Sequence, residues 1–403
     1  MNNLNILYRY ELKKITGRKL FWITLLLCLL TIISVPALSL TGKYYVDGVF
    51  ADTHYHMFLV DQAYEKALSG RAIDQTLLKE TLTAYRKIQD PEGRYTLTDE
   101  YQTYARPYSA IYQILCWWGN KDSLKDVIAW APDETAFYEA REDSLKAYWQ
   151  SYFLTETEKT FWEEKEAGIQ TPFTYFYHEG YSMLTKSFNT LNILMPLFIM
   201  ISLSGVFTIE HTRRTDQLVL TSSNGKNTVY FAKILAGVTV SFLCCALMIL
   251  ASAVFSLSFY GTEGYSMQIQ VTPYPVSYPM TIGASCLIMC GIALILSVLI
   301  SIMIMILSEI LRSRTAAMAL STAAIIAAMI CNVPPQYRTA SQIWDWLPFS
   351  FLNIWNVFDV RTVPVFGHCL VSWQIMPVIY LLFAVLITAG GKHVYQKYQV
   401  SGR

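Results

Sequence analysis

The sequence predicts an all-α polytopic membrane protein: six transmembrane helices, with a mainly helical extracytoplasmic domain between helices one and two. Three observations lead there. Of the 403 residues, 53% are hydrophobic and only 15% are charged, where a soluble domain carries about 25% charged residues. Six apolar stretches have cores free of Asp, Glu, Lys and Arg, and about 20 such residues make a helix that crosses a bilayer. One long polar stretch, 41–189, interrupts them, with its apolar residues at helical spacing.

The spans are expected at Leu20–Leu40, Leu191–Ile209, Ile234–Phe259, Ile282–Leu307, Ala316–Cys331 and Ile375–Ala389, the last two having short cores. The first ends near "PALSL", which offers small residues for a signal-peptide cleavage. Its apolar core exceeds the roughly 7–15 residues of a signal h-region, so an uncleaved anchor is expected.

Lys and Arg set the orientation, because they concentrate in cytoplasmic loops. Arg9, Lys13, Lys14, Arg18 and Lys19 precede the first span. Arg213, Arg214, Lys226 and Lys233 separate spans two and three, Arg312 and Arg314 follow span four, and Lys392, Lys397 and Arg403 end the chain. The short opposite loops hold only Arg338 and Arg361. Both termini are therefore expected in the cytoplasm. The net charge of +1 conceals this, because stretch 41–189 carries 15 basic and 23 acidic residues. No basic domain stands out, so nucleic acid is not an expected partner.

Within 41–189, "AIDQTLLKETLTAYRKIQ" reads as a helix stopped by "DPEG", and "APDETAFYEAREDSLKAYWQSYF" as a second, with a stripe at Phe137, Ala140, Leu145, Tyr148 and Tyr152. Trp117, Trp118, Trp130, Trp149 and Trp162 suit a small core and its membrane-facing base, or a surface for an amphiphilic or peptide cargo. Asp52, His54 and His56 could ligate zinc, but their place beside a span reads as solvated residues, and no metal is expected. Of the eight cysteines, five lie in apolar runs, where cysteine acts as a small hydrophobe. Cys331 and Cys369 flank one outer loop and could pair.

Between spans two and three runs "FTIEHTRRTDQLVLTSSNGKNTVYFAKIL". Asp216–Leu220 reads as a short helix with Thr215 as N-cap, and Asp216 favourably near its N-terminus. Thr221, Ser222, Ser223 and Asn224 end it, Gly225 suits a left-handed cap, and Asn227 or Thr228 caps the next helix. Leu218, Val219 and Leu220 then need a cover, from lipid or from a protein partner.

The pattern E-x-x-x-x-T-D-x-L-V-L-T-S from Glu210, followed by Gly225, Lys226 and Lys233, resembles the signature of ABC-2 type permeases, the membrane subunits of ATP-binding-cassette exporters. The resemblance implies that Glu210 is the family's gate-forming acid, and that a coupling helix near 213–222 docks on an ATPase subunit. It assigns Arg213, Arg214, Thr215, Asp216, Gln217, Leu218, Ser222, Gly225 and Lys226 to that coupling region. The family usually carries Gly where Arg214 stands.

The family also has six spans with both termini inside, and an amphipathic elbow helix before the first. "NILYRYELKKITGRK" fits that helix, with Leu4, Leu7, Leu12 and Ile15 on one side, and Arg9, Lys13, Lys14, Arg18 and Lys19 able to meet lipid headgroups. An irregular outer segment between spans five and six fits "PPQYRTASQIWDWLPFSFLNIWN", with Trp344, Trp346 and Trp355 at interface level. A large insert between spans one and two occurs in part of the family. The domains expected are thus an elbow helix at 1–19, span one at 20–40, the extracytoplasmic domain at 41–189, and spans two to six at 190–403.

A P-loop needs G-x-x-x-x-G-K-[ST]. Here Leu220 stands where the first Gly belongs, Asn227 follows Gly225-Lys226, and Gly391-Lys392 fails likewise. The chain is expected to hold no cofactor and not to be an enzyme, with ATP and magnesium on a partner ATPase. Charge-free spans argue against ion-coupled transport. Their Ser, Thr, Met and aromatic residues suit an amphiphilic, peptide or lipid-like substrate.

The expectation is an export permease in a cell membrane, bacterial in source, paired as a homodimer or with a second permease. A membrane-anchored sensor or scaffold with a ligand-binding outer domain is the alternative.

Overall fold

A computed structural model describes residues 3–46, 49–90, 94–213, 225, 227–273 and 276–397. The apolar stretches fold as long helices. Among the described residues, five are long and apolar enough to cross a membrane: Lys19–Leu38, Glu179–Glu210, Thr228–Tyr260, Ile282–Leu311 and Ser372–Lys397. The fifth expected span is the 17-residue apolar helix Arg314–Ile330, about 25 Å long at 1.5 Å per residue. That is short of a hydrocarbon core of about 30 Å. These six helices are called spans one to six below, in chain order.

The span helices share one core. Met195, Ile199 and Leu203 of span two, Cys245 and Met248 of span three, and Met289, Leu296, Ile300 and Met305 of span four are all buried in it. Close approach is built in at Gly237, where an added Cβ would lie 2.4 Å from the sulfur of Met305. Leucines such as Leu26, Leu30, Leu243, Leu250, Leu382 and Leu386 stay exposed around this core, as a bilayer-facing surface requires.

The helix of span two starts at Glu179 rather than near 190. The polar stretch before it folds as a β-hairpin, Lys43–Val46 with Val49–Thr53, followed by helices His54–Leu68, Gln75–Tyr85, Ser109–Gly119, Leu124–Trp130, Glu134–Ser151 and Glu156–Ala167. Side-chain caps start these helices as the sequence dictates. Asp74 accepts from the Leu77 amide, Asp133 from the Ala136 amide, and Thr155 and Glu158 form a capping box. The helix from Glu134 buries Phe137, Arg141, Leu145 and Trp149, a face turned slightly from the expected stripe. Trp118 and Trp149 are core residues and Trp117 is exposed.

The domain is composite. Met267 and Val271, from the loop between spans three and four, enter its main core. The segment between spans five and six folds as helix Arg338–Asp345, a short turn of helix at Ile354–Val357, and a hairpin pairing Val363–Val365 with His368–Leu370. Val360 and Val371 of that segment bury Leu145, Trp149 and Trp162 of the polar insert.

Buried charge fixes this contact. Glu158 receives both Arg338, at 2.5 Å, and the Thr362 amide, at 2.7 Å. Arg361, 1% exposed, is held by Asp359 and Asp345. Arg338 and Arg361, the two arginines counted apart in the charge pattern, are therefore both engaged by carboxylates of the protein.

The domain is tied to the spans at Tyr260, which is 1% exposed. Its hydroxyl donates to the Pro36 carbonyl of span one at 2.6 Å, and its carbonyl accepts from the Tyr177 hydroxyl at 2.5 Å. All eight cysteines, Cys331 and Cys369 included, are free thiols. Asp52 pairs with His56, in the first turn of helix His54–Leu68.

Candidate functional site

The site is built where the basic residues gather, at the end of the bundle opposite the composite domain. Helix Asn3–Thr16 buries Glu11 and Ile15. Gly17 and Arg18 then break the chain before span one starts at Lys19. The Tyr8 hydroxyl donates to Thr239 Oγ1 at 3.1 Å, so this helix lies along span three.

Span two is helical to Leu203, turns through 204–207, and resumes as Thr208–Arg213. Its last carbonyls are met by two arginines: Arg18 donates to Ser202 at 3.4 Å and Arg314 to Ile201 at 3.1 Å. Cations at a helix C-terminus offset the orphan carbonyls and the negative end of the dipole.

The turn brings Glu210 under the start of span three. Lys233, 0% exposed, lies 2.8 Å from Glu210 Oε1 and 3.4 Å from Glu11 Oε2, and donates to the Val206 carbonyl at 3.0 Å. An ammonium has three donors, and all three are met. Lys14 closes the group from the half-exposed side, at 2.6 Å from Glu11 Oε1 and 3.4 Å from Glu210 Oε1. Burial lowers the Lys14 pKa, but Glu11 and then Glu210 outweigh it, and the net shift is upward.

Two carboxylates and two ammonium groups cancel. A buried charge that is paired and fully hydrogen-bonded is tolerated, whereas an unpaired one is costly. Phe207, Tyr230 and Tyr395 pack their rings beside this group. The Tyr395 hydroxyl donates to the Gly225 carbonyl at 3.3 Å, and Gln396 donates to Asn227 Oδ1 at 2.6 Å. The described residues on either side of 214–224 are thus anchored, Glu210 before it and Gly225, Asn227 and Lys233 after it.

The expected coupling residues divide accordingly. Glu210 is in the cluster, Arg213 ends helix Thr208–Arg213, and Gly225 is buried against Tyr395. Arg214, Thr215, Asp216, Gln217, Leu218, Ser222 and Lys226, with the expected helix 216–220, lie outside the described residues. Among the expected headgroup-binding residues, Arg9, Lys13 and Lys19 are exposed, while Lys14 and Arg18 turn into the protein.

Sequence reasoning missed Glu11 and the burial of Lys233. Both left a signal. Glu11 sits one helical turn from Tyr8 and from Ile15, on the inward side, and Lys233 stands within the apolar run "VYFAKILAGV".

Compared with known proteins, residues 5–335 match a family model described as an ABC-2 family transporter protein. No curated protein and no solved structure matches the chain.

Proposed function

The chain belongs to the ABC-2 transporter family and is a multi-pass membrane protein, and from that premise we propose that it is the permease subunit of an ABC exporter. In this reading it moves an amphiphilic, peptide or lipid-like substrate across the cytoplasmic membrane. A separate ATPase subunit, on the cytoplasmic side, binds ATP and magnesium and hydrolyses the ATP. The permease works as a dimer, with itself or with a second permease, and both its termini are cytoplasmic.

The observation that carries the reading is the buried group of Glu11, Lys14, Glu210 and Lys233. It joins the elbow helix, the end of span two and the start of span three at one point, and it flanks the stretch that resembles a coupling helix. An ATPase pressing on 213–222 would move these three elements together rather than bend a free loop. Packed elements held this way pass displacement on as rigid bodies. Arg9, Lys13 and Lys19, on the exposed side of the elbow, would rest on anionic headgroups.

The test is purification of the tagged full chain from its own membranes. A second chain carrying a P-loop, with ATP hydrolysis in the purified complex, is the expected result. Repeated isolation without any nucleotide-binding chain would favour the anchored sensor instead.

A further inference from the structure

A second site lies at the other end of the bundle, where the composite domain meets spans two and four. A partly open cavity of about 170 Å³ is walled there by Glu65 and Trp117 of the domain, Tyr175 and His178 of the linker, and Glu179 and Lys186 of span two. That volume suits a small polar head, not a whole amphiphile.

The cavity has several acceptors and, among the described residues, one cation in its wall, the Lys186 ammonium. Glu65 receives the Tyr175 hydroxyl at 3.0 Å. Among the described residues, Glu179 is paired loosely with Lys186, at 3.8 Å, with the lysine side chain 58% exposed. Asp61, whose charge also acts on Glu65, is paired with Arg106 at 2.6 Å, and Lys66, next to Glu65 in the chain, is paired with Glu263 at 2.9 Å. His178 Nδ1 lies 2.9 Å from the Phe176 carbonyl. A carbonyl only accepts, so Nδ1 holds the proton and Nε2 is left as an acceptor. Trp117 and Tyr175 add aromatic rings to the wall, and such rings attract cations.

We propose that this cavity binds a primary ammonium group, with Glu65, Glu179 and His178 Nε2 as acceptors for its N–H bonds. The site is independent of ATP coupling. Its walls come from both the domain and the spans, so an occupant would bridge them. Burial, then the charge of Glu179, pushes the Glu65 carboxyl up to about 8, and burial lowers His178. Empty, the site thus keeps Glu65 largely protonated and His178 neutral at pH 7. An arriving ammonium would ionise Glu65 and release its proton to solvent.

The probe is n-butylammonium, titrated calorimetrically into the full chain in phosphatidylcholine nanodiscs. Two buffers of different ionisation heat are used, neither of them a primary amine. We expect saturable binding with release of close to one proton per site at pH 7. Glu65→Gln should weaken binding at least tenfold and abolish the proton release. Tetramethylammonium, which lacks N–H, should bind at least tenfold more weakly than butylammonium.

Phosphatidylethanolamine in the nanodisc should compete if the natural ammonium is a lipid head. It should not compete if the natural source is a soluble amine. Trp117→Leu, at an exposed position, gives a second variant should Glu65→Gln fail to fold, and it should weaken binding several-fold. No saturable binding, or equal affinity in wild type and the variant tested, would overturn the assignment.

Discussion

Lys233 Nζ lies 2.8 Å from Glu210 Oε1 with the lysine wholly buried. The two residues come from different helices and bracket the stretch that resembles a coupling helix. Removing one partner of a buried pair costs about 3–5 kcal/mol, because the other charge is left stranded. Lys233→Met should therefore lower stability by that order. Glu210→Gln together with Lys233→Met should cost less than the two single changes summed. Thermal unfolding of the four proteins in detergent checks this, and strict additivity would show that the pair is not coupled.

The basic residues of the elbow should separate into two kinds. Arg9→Ala and Lys13→Ala touch exposed charge and should weaken flotation with anionic liposomes while leaving the melting temperature unchanged. Lys14→Ala removes a cation shared by Glu11 and Glu210. It should lower the melting temperature by several degrees.

How far the sequence reaches is visible in these residues. Composition and apolar run length locate the span helices, because lipid demands long charge-free segments whatever their partners are. Caps such as Asp133 and the Thr155–Glu158 box are local, and they too can be read directly. Pairing across sequence distance cannot. Nothing near Glu158 names Arg338 or Thr362, 180 and 204 residues away. Nothing in the loop between spans three and four announces that Met267 belongs to the outer core. The fifth span helix falls short because "RTAAMALSTAAIIAAMI" is bounded by Arg314 and by the prolines after Cys331, which leave only 17 helical residues.

The composite domain should respond to pH at two places, in opposite senses. Burial alone would raise the Glu158 carboxyl, but Arg338 and the Thr362 and Thr155 amides outweigh it and hold it below its usual range. A depressed folded value gives stability that is present above the unfolded value, about 4.3, and is lost as pH falls through the folded value. Arg338→Ala should weaken this acid transition, with the Thr362 and Thr155 amides still in place, and cost about 3–5 kcal/mol. Fluorescence of Trp162, which donates to the Val360 carbonyl across the same contact, reports it.

Glu65 works the other way. Its folded value of about 8 means that its stabilisation is complete below the unfolded value and is lost as pH rises through 8. The melting temperature of the wild type should therefore fall between about pH 5 and pH 8. Glu65→Gln should flatten that fall, and an unchanged slope would contradict the assignment.

Backbone contact between the start of span two and the end of span three should be intolerant of a methyl group at one glycine. A Cβ on Gly180 would lie 2.0 Å from the Gly261 carbonyl oxygen, whereas nothing lies within 4 Å of a Cβ on Gly291. Gly180→Ala should cost about 1–3 kcal/mol or more through overpacking. Gly291→Ala should be neutral or slightly stabilising, and equal melting temperatures for the two variants would disprove the tight approach.

The most direct measurement is recovery of the ATPase chain with variants of the coupling stretch. Asp216→Lys and Leu218→Pro are each expressed as full-length chains, with membrane insertion and expression matched to wild type. The account predicts that the co-purified ATPase falls at least tenfold for both. Recovery equal to wild type in both variants would mean that no ATPase docks on this stretch.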